Sequence, residues 1–198
     1  MKILGLDIDD TSGKYLKALK QFIINHEQDG SFAGLSESQI DSHFPDMSAY
    51  DSFEWSVING DRAKFKKYHE DAVDNGLYTQ IEPFEGVSDA LWKLKNEHDF
   101  RIFVITSRFV IPGQNSKVIS DTGIWLDKHN IPYDDIMFTS NKVNVLADVY
   151  IDDSMHNILP LQEAGRKTIV YDRSYNRHLT GPRAHNWEEA YQLISTMV

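Results

Sequence analysis

The sequence contains no cysteine, so disulfide cross-links, thiolate nucleophiles and cysteine-ligated zinc or iron–sulfur centres are excluded. No apolar run approaches the roughly 20 residues needed to span a membrane. The N-terminus, MKILGLDIDD, turns acidic too early for a signal peptide. Both absences lead us to expect an unexported, cytoplasmic-type protein without a membrane partner. Positive charge is in short supply, with 20 Lys and Arg against 30 Asp and Glu, a net charge of −10 and a pI near 5.2. A surface of that sign repels a nucleic-acid backbone and argues against duplex binding. A small anionic substrate stays open, provided that a metal ion and a few local basic groups override the global field. The eight histidines show no ligand spacing, and there is no internal repeat or low-complexity tract. What is present is 198 residues, 41% hydrophobic and 25% charged, enough for one globular domain with a smaller inserted lobe.

The chain opens on an apolar run, KILGLD, suited to a buried central strand, and KYLKALKQFIIN then carries Tyr15, Leu16, Leu19, Phe22 and Ile23 at helical spacing. From about Asn25 to Glu82 the pattern breaks. Gly30, Gly34, Pro45 and Gly60 punctuate short segments, and Phe44, Tyr50, Phe53, Trp55, Phe65 and Tyr68 accumulate among them. We read 25–82 as a mostly helical insert and 1–24 with 83–198 as the main α/β body. Within the insert, DRAKFKKYHEDAVDNG reads as a helix capped by Asp61 and stopped at Gly76.

Alternation resumes after Pro83. A helix over VSDALWKLKNEH is followed by strand RIFVIT at 101–106 and a helix near 117–129. A short strand at IMF, strand DVYI at 148–151, a helix ending near Gly165, strand TIVY and a C-terminal helix follow, the last with Asn186 and Glu189 at capping-box spacing. Strands alternating with such helices predict a Rossmann-like parallel sheet with helices on both faces.

The stretch GLDIDDTSG crowds Asp7, Asp9 and Asp10 at the end of the first strand. Two carboxylates about 4 Å apart repel by roughly 4 kcal/mol at an effective dielectric of 20, which leaves two readings, a solvated acidic turn and a site for a hard cation, which oxygen ligands favour. In open parallel sheets ligands collect at the carboxyl ends of the strands. The first strand ends in Asp7-Ile8-Asp9, the RIFVI run in Thr106-Ser107-Arg108 and the DVYI run in Asp152-Asp153, with Lys142 between the last two. Each motif alone is commonplace. Together, in this order, they suit a magnesium ion and a phosphate.

Asp7-Ile8-Asp9-Asp10-Thr11, Thr106, Lys142 and Asp152-Asp153 resemble the four signature motifs of the haloacid dehalogenase superfamily of phosphotransferases, over most of the chain. The tail, ADVYIDDSMHNI with VYDRSYNRHL and HNWEEAYQLI, is similar to the 5'(3')-deoxyribonucleotidase family, as are the Lys142-to-Asp152 interval and the Thr106-Ser107 pair. Asp10 departs from it, since glycine is usual there.

The resemblance implies a haloacid dehalogenase-like core with a cap formed by 25–82, and roles follow position by position. Asp7 would be the nucleophile, forming an aspartyl-phosphate. Asp9 would protonate the leaving alcohol and then activate water; in extended chain the two side chains lie on one side. Asp7, the Asp9 carbonyl and Asp152 would hold Mg2+. Thr106 and Ser107 would bind phosphoryl oxygens, Lys142 would neutralise charge, Asp153 would orient Lys142 or a metal-bound water, and Thr11 would fix the loop. Phe53 and Trp55 would stack on a base, and Arg108 or Arg177 would reach phosphate or sugar.

The expected activity is a magnesium-dependent phosphomonoesterase acting on nucleoside, preferably deoxyribonucleoside, monophosphates. The alternatives are the same chemistry on a sugar phosphate, a receiver-like signalling domain, and a catalytically silent binding relative. Motif order disfavours the receiver, whose lysine would follow all the acids, and the filled site disfavours the silent relative. Monomer and homodimer are equally compatible with the sequence.

Overall fold

The computed structural model describes residues 1–27, 30, 32–48, 54–108, 113 and 115–198. Tyr50 and Phe53 lie outside them. The order is β1 (Lys2–Leu6), α1 (Tyr15–His26), α2 (Glu37–Ser42), α3 (Arg62–Asp74), α4 (Leu77–Gln80), α5 (Val87–His98), β2 (Phe100–Thr106), α6 (Asn115–Lys128), β3 (Asp135–Phe138), β4 (Val149–Asp152), α7 (Met155–Glu163), β5 (Thr168–Tyr171), β6 (Arg183–Ala184) and α8 (Trp187–Met197). A 3₁₀ turn at Lys142–Asn144 precedes β4.

The strands form one parallel sheet in the order β3-β2-β1-β4-β5-β6, the doubly wound arrangement in which direction of travel reverses between β1 and β4. Side chains alternate along each strand. Leu4, Leu6, Ile102, Val104, Val149 and Ile151 pack with α5 and α8 on one face, while Ile105 and Tyr150 meet Leu161 of α7 on the other. Helices therefore cover both faces, as the strand–helix alternation predicts. Among the described residues no helix is long and apolar enough to cross a membrane.

The insert's helices have their own apolar cluster, in which Phe32, Phe44, Trp55, Val57 and Ile58 pack with Leu19 and Ile23 of α1. Asp61 caps α3 through Ala63 N at 2.9 Å and Lys64 N at 3.2 Å, and Gly76 follows α3 at φ +80°, both as read from sequence. In α8 the Asn186 side chain accepts from Glu189 N at 2.9 Å, but the returning Glu189 carboxylate takes the His185 N–H instead of that of Asn186, so the capping box closes one residue early. The two-residue β6 is too short to leave a periodicity in the sequence.

Gly5 sits in the centre of β1, between β2 and β4. A Cβ there would lie 2.7 Å from Tyr150 Cδ1 and 2.9 Å from Ile105 Cδ1. The Tyr150 ring cannot swing aside, because its hydroxyl donates to the Val145 carbonyl and accepts from Ala147 N. Gly5→Ala should therefore overpack the sheet at a cost of about 1–3 kcal/mol. Thermal unfolding would read this as a loss of roughly 2–4 °C per kcal/mol for a chain of this size, and an unchanged midpoint would show that the sheet absorbs the methyl group.

Candidate functional site

The carboxyl ends of β1, β2 and β4 lie side by side because register fixes them there. Leu6 pairs with Val104 and Ile151, and Asp7 N donates to the Ile151 carbonyl at 3.2 Å. Asp7 thus emerges beside Asp152, with Thr106 ending the strand on its other flank. The loop after β1 is tightly wound. Thr11, Ser12 and Gly13 N–H groups all point to the Ile8 carbonyl, Ser12 Oγ donates to the Asp7 carbonyl at 2.7 Å, and Trp187 Nε1 holds the Thr11 carbonyl at 3.1 Å.

Lys142 is buried between the strand ends. Its Nζ donates to Asp7 Oδ1 and, at 2.7 Å, to Asp152 Oδ2. Asp152 Oδ1 accepts from Ser154 N at 2.9 Å and from Asn157 Nδ2 at 3.1 Å, so its carboxylate is fixed on both sides. Asp153 accepts from Thr11 Oγ1 at 2.9 Å and Tyr175 OH at 2.5 Å. Of the two roles expected for it, orienting Lys142 falls instead to Asp7 and Asp152, which bond the ammonium group, while orienting a metal-bound water stays open to it.

Carboxylate oxygens of Asp7, Asp152 and Asp153 lie within 4.8 Å of one another, all three residues buried. One lysine faces three acids. Burial pushes the Asp7 carboxyl well above its ordinary value; Lys142 opposes this, while Asp152, Asp153 and Asp9 add to it. Burial, then Asp152, pushes Asp153 up to about 7. Burial also works against the charge on Lys142, but Asp152 and Asp7 outweigh it and hold its pKa above the ordinary lysine value. A set of buried oxygen donors short of positive charge fits a hard divalent cation, and offers nothing to a metal that prefers nitrogen or sulfur.

Asp10 stands in the left-handed region at φ +54°, a conformation that glycine adopts without strain. Its carboxyl group caps α1, accepting from Leu16 N at 3.2 and 3.3 Å. Burial raises its pKa to about 7 against the pull of Arg173.

Asp9 does not join the acid cluster. Its two oxygens accept from Arg108 Nη2 at 2.6 Å and Nε at 2.8 Å. Arg108, expected to reach phosphate or sugar, is buried in this pair and still borders the cavity above the strand ends. Arg177 is exposed, 3.9 Å from Asp172.

A cavity of about 610 Å³ opens above the strand ends, lined on the sheet side by Asp7, Asp9, Asp10, Thr106, Ser107 and Arg108. On the insert side Arg62, Phe65, Lys66, His69 and Glu70 of α3 line it at i, i+3, i+4, i+7 and i+8, one face of a helix. Trp55 does not. It is 5% exposed and packs edge-to-face on Phe44 at 5.1 Å, so its indole serves the insert's own core. Phe53 lies outside the described residues. Among the described residues the aromatics at the cavity are Phe65, Tyr15, Tyr78 and Tyr175, with His69 bonded to Tyr15 OH at 2.7 Å and kept below its ordinary pKa by burial. Sequence spacing within α3 carried this face, but which side turned to the sheet was not legible.

A family model described as "5' nucleotidase, deoxy (Pyrimidine), cytosolic type C protein" matches residues 2–198. A Chlorobaculum tepidum protein named "Putative 5'(3')-deoxyribonucleotidase" is 30% identical over 99% of this chain and 91% of its own. Among solved structures, a haloacid dehalogenase-like family hydrolase from Streptococcus pneumoniae superposes with a TM-score of 0.62 at 13% identity, covering 98% of each chain. The "putative HAD-hydrolase YfnB from Bacillus subtilis bound to magnesium" gives 0.57 at 16% identity, again over 98% of each chain. The fold is haloacid dehalogenase-like.

Asp153 of the cluster and the nearby Asp10 make stability depend on pH. Asp10 and Asp153 have folded-state values of about 7 against an ordinary 3.8. Their contribution is complete below the unfolded value and lost as pH rises through about 7. Metal-free protein should therefore lose several degrees of thermal midpoint between pH 5 and pH 8, a loss that a divalent cation reverses. A midpoint that rises across this range without metal would contradict the reading of the cluster.

Proposed function

This chain belongs to the 5' nucleotidase, deoxy (pyrimidine), cytosolic type C family and is a phosphoric monoester hydrolase, and from that premise we propose a magnesium-dependent phosphatase of deoxyribonucleoside monophosphates that works through phospho-Asp7. The observation that carries the reading is Asp7 itself. It sits at the floor of the cavity, bonded to Lys142, with Thr106 and Ser107 on the neighbouring strand end.

The chemistry divides into two displacements. An Asp7 oxygen bonds to phosphorus as the ester P–O bond breaks, and the leaving oxygen takes a proton from Asp9. A water then gives its proton to Asp9 as its oxygen bonds to phosphorus, and the Asp7–P bond breaks to release phosphate. Thr106, the Ser107 hydroxyl and N–H, and Lys142 bind the phosphoryl oxygens and their charge. Asp7, Asp152 and the Asp9 carbonyl would hold Mg2+, with Asp153 beside them, and the ion supplies charge neutralisation and orientation of the phosphoryl group. Thr11 and Tyr175 hold Asp153, and Asn157 holds Asp152.

Residues 25–82 act as the cap in this reading. The α3 face closes the cavity, whose volume falls within the usual range of about 300–1,000 Å³ for small-molecule sites and leaves room for a nucleotide. Phe65 and Tyr15, rather than Trp55, are the rings available to a base, and Arg62 and Lys66 bring positive charge to an acidic neighbourhood.

A steady-state screen of nucleoside monophosphates and sugar phosphates, with and without magnesium, tests the proposal. Pyrimidine deoxyribonucleoside monophosphates should be turned over fastest, only with magnesium, and Asp7→Asn should lower kcat by about three orders of magnitude or more. Turnover retained by Asp7→Asn contradicts the nucleophile; faster turnover of sugar phosphates contradicts the substrate.

A further inference from the structure

The ion pair between Arg108 and Asp9 has no task in the chemistry above. The Arg108 side chain is fully buried at the end of β2. Besides its two bonds to Asp9, its third nitrogen donates to Thr122 Oγ1 at 3.2 Å. The guanidinium carbon lies 4.2 Å over the Tyr78 ring and 5.9 Å from the Trp125 ring centre. Both rings are buried, and Trp125 is tied through Nε1 to the Ile81 carbonyl at 2.7 Å. The guanidinium is thus held in place by the core beneath it. The Asp9 side chain, 28% exposed, lines the cavity. Of the two partners, the aspartate is the one with room to turn.

A planar guanidinium that grips both oxygens of a carboxylate fixes its direction as well as its distance. We propose that Arg108 is a positioning residue for Asp9, aiming its carboxyl group first at the leaving oxygen of the substrate and then at the attacking water. The inference rests on the acid–base reading of Asp9. Each Asp9 oxygen keeps a second lone pair for proton transfer, and if one oxygen turns from the guanidinium towards the substrate the bond that remains is the pivot about which the carboxyl group turns. A misaimed Asp9 penalises formation of phospho-Asp7 only when the leaving group needs a proton. The alkoxide of a nucleotide needs one; p-nitrophenolate does not. Hydrolysis of phospho-Asp7 suffers with either substrate, because the water must still be deprotonated.

The test uses Arg108→Lys and Arg108→Gln in the full chain, with magnesium, on a pyrimidine deoxyribonucleoside monophosphate and on p-nitrophenyl phosphate. Thermal unfolding is followed in parallel. For the nucleotide, kcat should fall about tenfold or more with KM little changed, Gln more than Lys. For p-nitrophenyl phosphate the variants should release roughly one equivalent of p-nitrophenolate in a burst before a slow steady state, as phosphoenzyme accumulates. In an Asp9→Asn background neither change should cost anything further. An equal loss on both substrates without a burst, a raised KM for both, or an additional loss in the Asp9→Asn background overturns the proposal, as does an Arg108→Lys chain that fails to fold. An Asp9→Asn enzyme with full activity on the nucleotide overturns instead the acid–base reading beneath it; an inactive Asp9→Asn beside unimpaired Arg108 variants overturns the positioning role alone.

Discussion

Lys142 places one buried positive charge between Asp7 and Asp152, where Asp153 brings a third carboxylate into the same few ångströms. At about 4 Å and an effective dielectric near 20, each like-charge contact costs roughly 4 kcal/mol, and a single ammonium group cannot neutralise three acids. The rest of the site is arranged around this shortage. Asp152 is held by Ser154 N and Asn157, Asp153 by Thr11 and Tyr175, and the loop of Asp7 by Ser12 and Trp187. Such anchors keep the acids together when mutual repulsion would part them.

The sheet makes that crowding available. The reversal between β1 and β4 leaves their carboxyl ends adjacent with no helix crossing over them, and the missing side chain of Gly5 leaves room for the Tyr150 ring beside β1. Asp10 is a local compromise of the same kind. Its left-handed backbone carries the strain that glycine would avoid, and its side chain offsets part of that by capping α1. The helix so anchored presents Tyr15 to His69 of α3, which links the loop of Asp7 to the proposed cap.

The strand ends were legible in the sequence because buried parallel strands are nearly continuous apolar runs, so the first polar residue after each run marks the ligand-binding edge. That rule located Asp7, Thr106 and Asp152 without any knowledge of their neighbours. It could not assign partners. Whether Asp153 meets Lys142 or Tyr175 depends on the path of the chain after β5. Arg108 resembles any polar residue beyond a strand until Tyr78 and Trp125 are seen to bury it. The insert was harder still. Its aromatics serve either its own core or the cavity, and composition does not separate Trp55, which packs inward on Phe44, from Phe65, which faces the cavity.

The account stands on a divalent cation completing the charge balance of Asp7, Asp152 and Asp153. Its most direct test is calorimetric titration of the full chain with Mn2+ as a spectroscopically visible substitute for Mg2+, repeated on Asp152→Asn. One ion bound per chain, with proton release near neutral pH and strong weakening in Asp152→Asn, is the result the account predicts. Binding that is absent, or equally tight in Asp152→Asn, would contradict it.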